Sequence, residues 1–137
     1  MAISPITWSD EISVGVESID NQHKKLVSMI NALHNAIADG KDIEVLEEIF
    51  NGLFDYTDKH FSYEEELSKK HGYPDVEDHK EEHAELIYQV ARHKSMLGSG
   101  GLFRGELLVD FLQFWLINHI KTSDMKFASF LIEKGVK

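Results

Sequence analysis

Cysteine is missing from this chain altogether. Its absence excludes disulfides, thiolate zinc sites and cysteine-ligated iron–sulfur clusters in one step. Basic residues are also scarce, with 14 Lys and Arg against 24 Asp and Glu and a formal net charge of −10. That balance argues against a nucleic-acid footprint and against docking to an anionic membrane surface. No apolar run is long enough for a bilayer: the most apolar stretch, Leu107 to Ile120, is too short and contains Asp110, Gln113 and His119. The opening residues, Met1 to Trp8, show no basic segment followed by an apolar one, so no signal peptide is visible and a cytoplasmic location is expected. What remains is ordinary for one globular domain: 137 residues, 42% hydrophobic and 28% charged. The departure from the ordinary is eight histidines.

The hydrophobic pattern predicts an all-α protein with an extended N-terminal arm over residues 1–19 and a helical bundle over 20–137. In the arm, Trp8 is the expected apolar anchor, followed by Ile12-Ser-Val-Gly-Val16. Asp20 is a plausible N-cap for a first helix starting at Asn21, whose one-sided stripe runs through His23, Leu26, Val27, Ile30, Leu33 and Ile37 to a stop at Asp39-Gly40. A second helix from about Asp42 carries Leu46, Ile49, Phe50, Leu53 and Phe54, and its stripe continues into His60 and Glu64. Lys69 to Pro74 breaks it. The third helix begins between Asp75 and Asp78 with His79, His83, Leu86, Ile87, Val90 and Leu97 on one side, and Gly98-Ser-Gly-Gly101 is a loop. The fourth buries Leu108, Phe111, Leu112, Trp115 and Leu116 and arrives at His119. Short connections imply an up-down-up-down four-helix bundle.

Within this pattern lie the residues with chemistry. His60 and Glu64, and then His79 and His83, are i,i+4 pairs, which an α-helix leaves about 40° apart on one face. The polar turn between them folds the pairs together. In antiparallel alternation His23, the His60–Glu64 pair, the His79–His83 pair and His119 all fall at the same end of the bundle. Asp124 is five residues beyond His119, about 140° away on a straight helix. Both face one site only if the helix bends or stops, and Thr122-Ser123 offers an N-cap for a short final helix ending at Gly135.

A lone histidine on an apolar face is usually a hydrogen-bonded core residue. Five imidazoles and two carboxylates buried together would be costly without a metal. His34 is on the same face as His23 but roughly 16 Å further along the helix, while His71 sits in a polar turn and His93 on a charged helix, so these three are expected to be structural. The acidic runs Glu64 to Glu66 and Glu77 to Glu82 are expected to be mostly solvated, with only Glu64 on the stripe. Seven ligands exceed one tetrahedral zinc, and calcium or magnesium sites prefer oxygen throughout. Imidazole with bridging carboxylate in a bundle core suits a pair of irons, then manganese. The Glu-x-x-His pairs of ferritin-like proteins are absent, and Lys80 stands where a His-Glu-x-x-His protease would have its base.

Asp20-x-Gln-His23, His60-x-x-x-Glu64, His79-x-x-x-His83 and His119-x-x-x-x-Asp124 together resemble the haemerythrin family over essentially the whole chain, and the Trp8 to Asp20 arm resembles its bacterial branch. The resemblance implies two irons bridged by Glu64, Asp124 and an oxo or hydroxo group. His79, His83 and His119 would complete one iron and His23 and His60 the other, which keeps an open position for dioxygen. Leu26, Phe61, Trp115, Leu116 and Ile120, each within one turn of a ligand, are the expected oxygen-pocket walls. The implied activity is reversible dioxygen binding for storage, delivery or sensing, and not enzymatic turnover, since no stripe residue beyond the ligands looks like a positioned acid, base or nucleophile. A di-iron oxidase or peroxidase, and a sensory module coupled to a signalling partner domain in a longer protein, are the alternatives.

Overall fold

The computed structural model describes residues 5–97 and 105–136. The loop expected at Gly98 to Gly101 and the first four residues of the arm lie outside these, as does the side chain of Leu97. Helices α1 (Glu17–Ala38), α2 (Ile43–His71), α3 (Val76–Leu97) and α4 (Gly105–His119) form the bundle, and α4 runs through a π-helical turn (Ile120–Asp124) into α5 (Met125–Glu133). Helix α1 packs against α2 and α4, α2 also against α3, and α3 against α4, which closes the ring in the expected order.

Each helix is amphipathic for the reason the spacing indicated. On α1, Ile19, His23, Leu26, Val27, Ile30, Leu33 and Ala36 are buried at intervals of three and four. Helix α1 ends in a Schellman turn, with Lys41 N–H donating to the Ala36 carbonyl and Gly40 N–H to that of Ile37. Gly72 closes α2 the same way at φ +70°, where a side chain would be strained, and Tyr73 N–H donates to the Ser68 carbonyl. That tight stop turns the chain within four residues, so the last turns of α2 meet the first turns of α3.

Four expectations are corrected. Helix α1 begins at Glu17, so Asp20 lies inside its first turn and is not its N-cap. The Asp20 carboxylate instead accepts from the Ser13 hydroxyl at 2.6 Å and from Val14 N–H at 2.8 Å, clamping the arm to the helix. Trp8 is only half-buried, under the Lys24 ammonium at 5.5 Å, and the arm is anchored more deeply by Ile12, Val14 and Val16. Nor does the chain stop at Thr122-Ser123. Thr122 Oγ1 donates to the Asn118 carbonyl and Ser123 Oγ to Glu82, so neither caps a new helix. On α4, Phe111 and Trp115 are half-buried and Val109 takes a core position.

The arm and α5 add their apolar side chains to one continuous core. Tyr73 sits with its ring centroid 4.9 Å from Phe127 and 5.1 Å from Phe130, and Leu131 is fully buried. Full burial of each arm anchor contributes roughly 1.5–3 kcal/mol. Removing the clamp should undo that docking. Asp20→Ala is expected to cost about 1.5–3 kcal/mol, the range for hydrogen bonds to a charged acceptor. Urea unfolding should register the loss, with faster amide exchange concentrated over residues 12–16.

Candidate metal centre

All seven ligand candidates meet in one buried cluster within the bundle. Helix α1 brings His23, α2 brings His60 and Glu64, α3 brings His79 and His83, and α4 with its π turn brings His119 and Asp124. Each is at most 3% exposed. Their donor atoms form two overlapping groups: Glu64, His79, His83, His119 and Asp124 in one, His23, His60, Glu64 and Asp124 in the other, with all atoms of a group within 4.8 Å of one another. Both carboxylates belong to both groups. Glu64 presents Oε1 to His83 Nε2 at 3.3 Å and Oε2 to His60 Nε2 at 3.5 Å. Asp124 presents Oδ1 to His79 Nε2 at 2.9 Å and Oδ2 to His23 Nε2 at 3.0 Å.

The π turn resolves the spacing of His119 and Asp124. Its i→i+5 hydrogen bonding widens one turn of helix, so residues five apart face the same way, and such bulges recur at functional sites. The helix neither bends away nor stops; it widens by one residue and continues. His119 Nε2 and Asp124 Oδ1 are 3.1 Å apart as a result.

The donor set has the chemistry of a cation site. Among the described residues, nine buried side-chain nitrogens and oxygens lack a hydrogen-bond partner, and every one belongs to His23, Glu64, His79, His83, His119 or Asp124. At about 1–3 kcal/mol for each unsatisfied group, the set would cost on the order of 9–27 kcal/mol. That equals or exceeds the whole stability of a typical domain, about 5–15 kcal/mol. Several of these atoms approach to 3.0–3.3 Å without hydrogen-bond alignment, which suits groups that share a cation better than groups that share a proton.

Protonation points the same way. Burial, reinforced by the charge of His23, holds the His60 imidazole down to about 3. Burial and the neighbouring His79 hold His83 down to about 2. Both rings are therefore neutral, the form that ligates metal. Burial and the proximity of Asp124 push the Glu64 carboxyl well up. Asp124 goes the other way: burial opposes its charge, but His119, His23 and His79 outweigh burial and hold it well below the carboxylate range.

Residues outside the ligand set complete the surroundings. Gln22 Oε1 accepts from His60 Nδ1 at 2.6 Å, and Glu65 Oε2 from His83 Nδ1 at 3.1 Å. Glu82 Oε1 lies 3.4 Å from His119 Nδ1, poorly aligned for a hydrogen bond but close enough for electrostatic support. Glu65 and Glu82 had been grouped with the solvated acids, and they are indeed partly exposed, at 26% and 46%. The available signal was adjacency, since each stands next to a ligand candidate in the chain. Phe61 lies flat on His83 with centroids 3.8 Å apart and planes 2° apart, and Trp115 stacks on His119 at 4.4 Å. Phe127, from α5, closes on His79 at 5.3 Å. His93 packs against Phe111 at 5.2 Å and His34 Nδ1 is 3.4 Å from Asn35 Oδ1, both away from the cluster.

A four-helix bundle that buries two histidine groups around a shared pair of carboxylates defines a dinuclear non-haem metal protein. Residues 14–131 match the family described as "Hemerythrin HHE cation binding domain". The chain is 38% identical over 119 residues to the bacteriohemerythrin of Pseudomonas paraeruginosa, covering 87% of this chain and 76% of that one. It is 34% identical over 128 residues to the hemerythrin-like protein of Naegleria gruberi, covering 93% and 95%. A wild-type hemerythrin crystal structure superposes with a TM-score of 0.87 at 31% identity, covering 93% of this chain and 98% of that one. The chain belongs to the haemerythrin family, in its bacterial branch. Haemerythrin domains bind a pair of irons, and the buried cluster here is able to hold them.

Glu64→Ala or Asp124→Ala removes a group common to both clusters and should abolish the paired site, whereas His34→Ala, His71→Ala and His93→Ala should each keep the full metal content of the parent by elemental analysis. In metal-free protein, the ring resonances of His60 and His83 should stay flat from pH 8 to pH 5. The unfolded chain protonates these rings near 6.5 and the folded one only near 3 and 2, so their contribution to stability is present above about pH 6.5 and is lost progressively as pH falls below it. A ring of either residue titrating near pH 6.5 in the folded apo-protein would contradict this.

Proposed function

We propose that this protein binds dioxygen reversibly at an iron pair, with His79, His83 and His119 on one position, His23 and His60 on the other, and Glu64 and Asp124 bridging. The observation that carries the reading is the inequality of the two groups. One collects three imidazoles and the other two around the same carboxylates, so the second position has one protein donor fewer and is the one where an exogenous ligand would bind. When bound, the irons supply the electrons that dioxygen takes up. The protein's task is to admit a small apolar molecule and keep water and acids out.

A narrow cavity of about 20 Å³ beside the cluster suits that task. Leu26, Phe61, Trp115 and Leu116 line it together with Leu53, Leu86 and their neighbours, and Thr57 is the only polar residue on its wall. The space takes about one small molecule. Thr57 Oγ1 is already committed to the Leu53 carbonyl at 2.7 Å. No ionisable group lines the wall, so proton delivery, which turnover would need, has no evident donor there. Ile120 does not line this cavity, although it is fully buried next to His119.

A sensory role is the second reading, favoured by one contact pattern. The arm is clamped by Asp20, two residues before Gln22, which bonds the ligand candidate His60. A change at the cluster could thus reach the arm through a single turn of α1. If so, arm amide exchange should differ between oxygenated and deoxygenated protein.

The principal test is anaerobic reduction followed by oxygen, expecting a visible band that appears with oxygen and disappears when oxygen is removed. One zinc per chain and no iron would sink the reading. Leu116→Ala should keep two irons yet lose the oxygenated band several-fold faster, because a cavity enlarged beside polar groups admits water. Ile120→Ala should do so to a smaller extent. An unchanged or slower decay in Leu116→Ala, with iron content equal to the parent's, would remove this wall from the oxygen pocket.

A further inference from the structure

We propose that Gln22 and Glu65 are positioning residues that make the two metal positions electronically unequal. The inference rests on the paired-iron reading above. His60 and His83 turn Nε2 toward the cluster, and each Nδ1 faces an oxygen that accepts, so Nδ1 carries the proton and donates outward. His60 Nδ1 donates to the Gln22 amide oxygen at 2.6 Å, a bond from α2 to α1. His83 Nδ1 donates to the Glu65 carboxylate at 3.1 Å, a bond from α3 to α2. Phe61, flat against His83, limits rotation of that ring about the bond.

The two acceptors are nearly identical in shape and differ in charge. An anionic acceptor draws the Nδ1 proton away from the ring and makes Nε2 a stronger donor, whereas a neutral amide fixes the ring with less effect on its basicity. The group of three histidines has Glu65 on one ring and Glu82 at 3.4 Å from another. Among the described residues the group of two has only the Gln22 amide on His60, and His23 Nδ1 has no partner. Two anions therefore favour the higher oxidation state at the three-histidine position, and none does so at the two-histidine position. An iron held at the three-histidine position would then be the readier to oxidise, and one held at the two-histidine position the less ready.

Isosteric exchanges separate charge from shape. Iron-loaded parent, Glu65→Gln and Gln22→Glu are compared by potentiometric titration, with the mixed-valence state followed by electron paramagnetic resonance. Glu65→Gln should raise the lower of the two midpoint potentials and Gln22→Glu should lower the upper one, so the gap narrows in both. A role that is only structural would leave the gap alone. Cobalt(II) titration of the metal-free proteins gives an independent reading: Glu65→Gln should weaken the three-histidine position by about 10–100-fold, and Glu65→Asp should restore part of it. Parent-like potentials in both exchanges, or parent-like cobalt affinity in Glu65→Gln, would overturn the proposal, and the cobalt arm decides if Gln22→Glu fails to hold iron. A parent that holds two irons and takes no oxygen reversibly would instead defeat the oxygen-binding reading and leave this comparison intact.

Discussion

Two carboxylates buried among five imidazoles set the terms for the rest of the fold. Glu64 and Asp124 are both fully buried, and among the described residues no lysine or arginine pairs with either. In a low-dielectric interior such groups need opposite charge nearby, and His60 and His83, held neutral by burial, do not supply it. Cations held between the groups do. The helices are arranged to permit this. Helix α2 runs for 29 residues, long enough to carry a conventional core at one end and the His60–Glu64 pair near the other. Gly72 stops it where α3 can return with His79 and His83. The π turn widens the α4–α5 helix where Asp124 must face inward beside His119.

That division also explains how much of the protein can be read from its residues. The i,i+4 pairs and the apolar stripes are periodic signals, and periodicity survives in one dimension. Antiparallel alternation then places His23, the two pairs and His119 together with no further information. The π turn does not announce itself this way. Residues 119–124 read equally well as a helix that stops, because Thr122 and Ser123 are good caps, and only the tertiary demand that both ends face one cluster selects the widened turn. Asp20 shows the same limit. It has the chemistry of an N-cap, and a carboxylate accepts from Val14 N–H in the arm as readily as from a helix N–H. Local propensity named the function of the side chain, and the arm decided which donors it met.

Glu65 and Glu82 show where polarity alone misleads. Both lie on faces that are partly solvated, so a hydrophobic stripe assigns them to the surface. A ligating imidazole has two nitrogens, however, and the one turned away from the cluster points toward that surface. Its partner is best placed at the boundary, where a carboxylate keeps part of its hydration and still reaches the ring. Glu65 at 26% exposure and Glu82 at 46% occupy that boundary. Full burial would add the cost of desolvating a third and fourth carboxylate to a centre already holding two.

The apolar parts of the bundle divide the remaining work. Leu33, Phe50 and Leu108, all fully buried, belong to the far half, where helix packing is conventional and does not involve the cluster. Beyond the cluster, Val16, Ile19, Phe127 and Leu131 form the arm–α5 cap, also fully buried. The far half can hold the helices parallel enough to present the ligands before any cation arrives, since its contacts are independent of charge. The cap has a different dependence: Phe127 follows Asp124 by three residues and touches His79, while Ile19 precedes His23 by four. Two separate elements thus place a cap residue one helical turn from a ligand candidate. A bundle built this way has one end whose packing is independent of the cluster and another whose packing adjoins it.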